Sequence, residues 1–264
     1  MKVTFDTNCL ERATRPERYP KDKLQPAYLK VHRALRTGAI KGYFSQTLIT
    51  LEGVQNDDRV DVLGSTRLET RSYSTGPNAI SLSIGVRQDQ RPIHPEHARC
   101  IVAARALGMK ALRGPVRLGD SFTAKDEDGS LYERDDSVER MIARGEKENE
   151  VELAIAKRAV GRTIAVTLGL KFSQRAGHSE WWFAGLKRIQ GPHERGEVNR
   201  AIAEWADGES IIAHIGYGFD LFCTNDNAKR GNVPSIFAPD NKAWLSSAYG
   251  VTFVTLEELA AKLP

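Results

Sequence analysis

The chain has 264 residues, of which 41% are hydrophobic and 27% charged, with 38 Lys+Arg against 34 Asp+Glu. That length suits one large domain or two small ones, and the composition excludes a disordered or fibrous chain. A net charge of +4 neither demands nor forbids a nucleic-acid partner.

In chain order, Lys2–Phe5 reads as a short strand that runs into a polar turn, Asp6-Thr7-Asn8. Apolar residues at Leu24, Tyr28, Val31 and Leu35 predict a helix over 24–36, with Gly38 as its stop. Gly42-Tyr43-Phe44 predicts a second strand. Ser45 then suits the N-cap of a helix carrying Leu48, Ile49, Leu51 and Glu52. The runs RLETRSYS and AISLSIGV flank Gly76-Pro77-Asn78 and predict a β-hairpin over 67–86. Residues 95–112 and most of 137–168 read as helical, and the Gly/Asp/Ser-rich 114–132 as a loop. Towards the end, 198–218 predicts a helix and Phe219–Thr224 a strand ending at Asn225-Asp226. A short helix over 243–248 and a strand over 251–254 follow, and Thr255 with Glu258 forms a capping box for a terminal helix.

Strands alternating with helices at both chain ends predict a parallel sheet covered on both faces. Charge is distributed in blocks. Residues 11–41 hold nine basic and three acidic side chains, 120–152 hold five basic and twelve acidic, and 153–200 hold nine basic and three acidic. Solvated helix faces account for such blocks better than a binding surface does. No apolar run reaches the roughly 18 residues of a membrane helix, and the start, MKVTFDTNCL, carries no apolar leader. The chain is therefore expected to begin inside its fold and to stay off membranes. Three distant cysteines, Cys9, Cys100 and Cys223, argue against a disulfide framework and for a reducing, cytoplasmic compartment.

Parallel sheets place their sites beyond the carboxyl ends of the strands. Two predicted strands end in an acid, at Asp6 and at Asp226, and Glu52 and Asp207 sit on predicted helices beside such strands. Four converging carboxylates repel one another unless a cation compensates. An oxygen-only set without His or Cys suits Mg²⁺ or Mn²⁺, which acidifies water and stabilises a leaving oxygen in phosphoryl chemistry.

These segments resemble the PIN-domain ribonucleases, the group that includes VapC-type toxins. The resemblance rests on Phe5-Asp6-Thr7-Asn8, on Leu51-Glu52, on the block from Asp207 to Thr224-Asn225-Asp226, and on the closing GVTFVTLEEL (250–259). It implies a three-layer α/β/α parallel-sheet core from residues 1–58 and 196–264, with 59–195 as a mixed α+β insertion of a β-hairpin plus helices. It also implies a metal-dependent ribonuclease that binds Mg²⁺ or Mn²⁺ and hydrolyses RNA phosphodiester bonds. Asp6 and Asp226 would be direct ligands, and Glu52 and Asp207 ligands or holders of metal-bound water. Asn8, Thr224, Asn225 and Lys229 would orient carboxylates or touch phosphate. Glu52 and Asp207 lie 155 positions apart, more than a compact member of the family uses, so Glu209 stands as the alternative third acid. A homodimer and an antitoxin-type protein partner are expected from the resemblance alone. The alternative is a PIN-like RNA- or partner-binding module with little or no nuclease activity, its insertion doing the recognising.

Each motif also has a plainer reading. Asp6-Thr7-Asn8 suits an ordinary strand-to-helix turn in which Asp and Asn cap backbone groups, Asn225-Asp226-Asn227 a turn, Asp207 a surface position beside Gly208, and Glu52 a solvated helix. Trp181-Trp182, near Lys171, Arg175, Lys187 and Arg188, could stack unpaired bases but suits a core better. His94 and His97 have a zinc-like spacing without a Cys pair, and read as loop or helix-start residues. Leu118-Gly119-Asp120-Ser121 is similar to the GDSL esterase block, but no Asp-x-x-His pair exists to activate its serine. The glycine-rich signatures of nucleoside-triphosphate and dinucleotide binding are absent from the sequence.

Overall fold

A computed structural model describes the chain except for residues 77–78, 90, 115–128, 176, 178–180 and 229–233, and the side chain of residue 75. Along it run β1 (Lys2–Phe5), α1 (Thr7–Thr14), α2 (Gln25–Arg36), β2 (Lys41–Ser45), α3 (Asn56–Gly64), β3 (Arg67–Gly76) and β4 (Ala79–Arg87). Then come α4 (Pro95–Ala106), β5 (Lys110–Leu112), α5 (Val138–Lys157), α6 (Arg162–Arg175), α7 (Trp182–Gly185) and α8 (Gly191–Tyr217). The chain closes with β6 (Leu221–Cys223), α9 (Pro239–Tyr249), β7 (Phe253–Val254) and α10 (Leu256–Lys262).

Five strands form one parallel sheet in the order β5-β2-β1-β6-β7. Side chains alternate between two apolar layers, as the period of two requires. Val3, Phe5, Phe44 and Cys223 pack into one core with residues of α1, α2, α4 and α10. Phe222 faces the other way, onto Val151 and Ile155 of α5, Ile211 and Ile212 of α8 and Leu245 of α9. Both faces of the sheet are thus covered by helices. The expected α/β/α layering holds at this level.

On the second face, Thr4 Oγ1 and His214 Nδ1 lie 2.9 Å apart and fasten the middle of β1 to α8, with both residues buried. α8 ends at Gly218 in the left-handed region, φ 64°, a conformation that suits glycine and lets the chain turn straight into β6. The capping box at Thr255 and Glu258 is present.

Two local expectations are corrected and one is borne out. Asp6-Thr7-Asn8 is the strand-to-helix turn expected of it: Asp6 N-caps α1, its Oδ1 accepting the Thr7 amide at 2.8 Å. Ser45 caps only a single 3₁₀ turn over Gln46–Leu48, so Glu52 lies in a turn ahead of α3 and not on a helix. The backbone folds back too tightly there for a helix to continue. A Cβ on Gly53 would sit 2.8 Å from the Leu48 carbonyl oxygen. Third, the helix from Pro95 stops at Ala106, and 110–112 form β5, the edge strand on β2.

The hairpin exists as β3–β4, an antiparallel ribbon paired with no other strand among the described residues. No helix among the described residues is long and apolar enough to cross a membrane. All three cysteines are free and buried.

Candidate functional site

The chain leaves β1 for β2 and β5 on one side of the sheet and later returns to β6 and β7 on the other. The order reverses at β1/β6, and such a switch point opens a crevice at the carboxyl ends of its strands. Asp6 stands at the end of β1, its amide donating to Cys223 O at 2.9 Å, so the ends of β1 and β6 are level.

Polar groups from both chain ends interlock here. Thr224 Oγ1 donates to Asp6 Oδ2 at 2.7 Å and accepts the Asp226 amide at 3.0 Å. Asn8 Nδ2 donates to the same Asp6 oxygen, while Asn8 Oδ1 accepts the Asn225 amide at 3.1 Å. Asn225 Oδ1 accepts the Leu256 amide at 3.4 Å, tying in α10. Glu52 is held by two hydroxyls on its Oε2, Thr7 Oγ1 at 2.9 Å and Thr47 Oγ1 at 3.0 Å.

Charges converge with the hydrogen bonds. Burial first, then the charge of Glu52, pushes the Asp6 carboxyl up to about 7, with Asp226 adding to the effect. Asp207, half-buried on α8, is raised well above the usual carboxylate range by desolvation and by Asp6, Glu52, Glu204 and Asp226. The four predicted acids therefore share one electrostatic neighbourhood. Glu209 does not belong to it. Two residues along a helix turn a side chain to the far side, and Glu209 Oε1 accepts Trp205 Nε1 at 2.9 Å and faces Glu148.

Two cations offset part of this charge. Lys242 donates to the Asp226 carbonyl and feels both Asp226 and Asp6. The Arg59 guanidinium lies in the field of Glu52 and Asp207. Even so, among the described residues no three His, Cys, Asp or Glu side chains are drawn together closely enough to hold a metal ion. Repulsion between uncompensated carboxylates opposes closer approach, and both Asp6 oxygens already accept hydrogen bonds.

Of the remaining predicted residues, Lys229 and the Leu118–Ser121 block lie outside the described residues. Trp182 packs edge-on to Trp205 at 6.0 Å and belongs to the core around α8, whereas Trp181 is 55% exposed and stacks on Phe183. His94 caps α4, its Nδ1 accepting the Glu96 amide at 3.3 Å. Sequence reasoning missed Thr47, Arg59, Glu204 and Lys242. Each reaches the site through tertiary packing, with no motif to announce it. No protein-family model, curated protein or solved structure matches the chain.

Proposed function

We propose that this chain is a Mg²⁺- or Mn²⁺-dependent ribonuclease of PIN type, hydrolysing RNA phosphodiester bonds at Asp6, Glu52, Asp207 and Asp226. The observation that carries it is the electrostatic convergence of these four acids, drawn from both chain ends, at the switch point of a parallel sheet. A purely structural site gains nothing from burying repelling carboxylates, and a hard dication is what oxygen donors of this kind accept. Asp6 and Asp226 serve as ligands, with Glu52 and Asp207 as ligands or holders of the ion's water. Asn8 and Thr224 fix the Asp6 carboxylate, and Thr7 and Thr47 fix Glu52. When bound, such an ion would supply Lewis acidity toward the attacking water and the leaving oxygen. The test is cleavage of single-stranded RNA with Mn²⁺ by wild type and by Asp6→Asn. Cleavage by the wild type that the substitution abolishes supports the reading, and equal cleavage by both removes this site from it.

One observation favours a second reading, a PIN-like binding module without nuclease activity. The described carboxylates are not gathered closely enough to hold an ion, and Asp6 is fully engaged by protein donors. RNA left intact, together with a melting temperature unmoved by Mn²⁺, favours this module.

A further inference from the structure

Beside the carboxylates lies a cavity of about 380 Å³ that shares two walls with them, Thr7 and Glu52. Its other side is made by Arg59 of α3 and by His94 and His97 at the start of α4. The His94 amide donates to the Gly53 carbonyl at 2.6 Å, pinning α4 to the turn that carries Glu52.

Arg59 is unusual for a cation in this position, at only 9% exposed. Its Nε donates to Val54 O and its Nη2 to Glu52 O, each at 3.0 Å. Nη1 has no hydrogen-bond partner among the described residues. Burial pulls its pKa down, while Glu52 and Asp207 hold it up. His97 lies against Glu52, and its Nδ1 is buried with no partner among the described residues. The His94 and His97 rings are 5.5 Å apart. α3 and α4 both begin at this cavity, and α3 has no side-chain cap, so helix dipoles add positive potential. Glu52 and the exposed Asp57 are the opposing acids on its wall.

A guanidinium locked by two backbone carbonyls, with donor capacity left over, is prepared for an anion with planar oxygen pairs. The buried Nδ1 of His97 is a polar atom without a partner among the described residues, and such an atom costs stability unless a ligand meets it. We propose that this cavity is a phosphate subsite. It takes a backbone phosphate of a single-stranded RNA beside the carboxylate site, with Arg59 as principal contact and His97 as second. The assignment rests on the nuclease reading above and extends it to residues outside the carboxylate set.

The test is fluorescence anisotropy of a short labelled oligouridylate titrated with full-length protein in EDTA, where no cleavage occurs, at several NaCl concentrations. Arg59→Gln is expected to weaken binding about tenfold or more and to reduce the salt slope by about one. Arg59→Lys recovers part of the loss, and His97→Gln weakens binding several-fold. Manganese affinity by calorimetry stays at the wild-type value in His97→Gln. If Arg59→Gln fails to fold by circular dichroism, the Lys and His97 variants decide. Wild-type affinity and slope in the folded variants overturn the subsite alone. A wild-type protein that binds no RNA in EDTA overturns the subsite, while the nuclease reading is decided by the Mn²⁺ cleavage assay.

Discussion

Thr224 Oγ1 donates to Asp6 Oδ2 at 2.7 Å, joining residues 218 positions apart, and accepts the Asp226 amide at 3.0 Å. One hydroxyl thereby holds the ends of β1 and β6 together and orients the carboxylate at the centre of the site. Thr224→Val keeps the shape and removes both bonds. A charge-assisted bond to a buried carboxylate is lost, so the variant should lose about 1.5–3 kcal/mol in urea denaturation, and Thr224→Ser should retain most of it. Equal stability of Val and wild type would mean that the hydroxyl does not hold this junction.

How much of this was legible in the sequence depends on how local each cause is. The ends of the chain were readable because alternation in Lys2–Phe5, the Thr255/Glu258 box and the stop after Tyr217 act over a few residues. β5 was not, because three residues carry no period and its partners on β2 lie 67 positions away. Glu52 was found but set on the wrong element. The Ser45 cap is real, yet the chain leaves the helical path after one turn and is then clamped by Arg59, a constraint no local pattern encodes.

Asp207 and Glu209 separate cleanly by experiment, because the structure puts them on different sides of α8. Asp207 adds a repelling carboxylate to the site. Asp207→Asn should therefore raise the melting temperature without divalent ion and shrink the increase caused by saturating Mn²⁺. Glu209→Leu, which removes the acceptor of the Trp205 indole N–H, should lower the melting temperature and leave the Mn²⁺ increment intact. Scanning fluorimetry with and without Mn²⁺ reads both, and a reversed pattern would make Glu209 the acid that matters.

Two buried groups give pH dependences of opposite sign. His214 is held down to about 4 by burial, with the charge of Asp220 opposing. Its neutral form is the one that folds, so its contribution is complete above about 6.5 and is lost as pH falls through about 4. The stability gap between wild type and His214→Phe should narrow by about 1.5 kcal/mol from pH 6.5 to pH 5. Asp6 behaves the other way. Raised to about 7, its contribution is complete below the ordinary carboxylate value near 3.8 and is lost as pH rises through about 7. The metal-free wild type should lose roughly 2–3 kcal/mol relative to Asp6→Asn between pH 5 and pH 7. Urea titrations across this range measure both slopes, and a flat difference for either pair would contradict the burial assigned to that residue.

The support beneath Asp207 depends on two glycines. A Cβ on Gly169 of α6 would sit 2.2 Å from the Trp182 carbonyl oxygen, and one on Gly185 of α7 would sit 1.9 Å from the Gly169 carbonyl oxygen. Both obstacles are backbone and cannot rotate away. α6 and α7 pack at this distance because Trp182 wedges against Trp205, two residues before Asp207 on α8. Gly185→Ala must push the two helices apart and loosen that wedge, which should cost roughly 3 kcal/mol. Gly208→Ala, on α8 with open space around its Cβ, is the control, and should change stability by less than about 1 kcal/mol in the direction of helix propensity. Urea denaturation of the pair tests the packing. Unchanged stability in Gly185→Ala would show that α6 and α7 do not approach this closely, and would remove the buttress from the Asp207 side of the site.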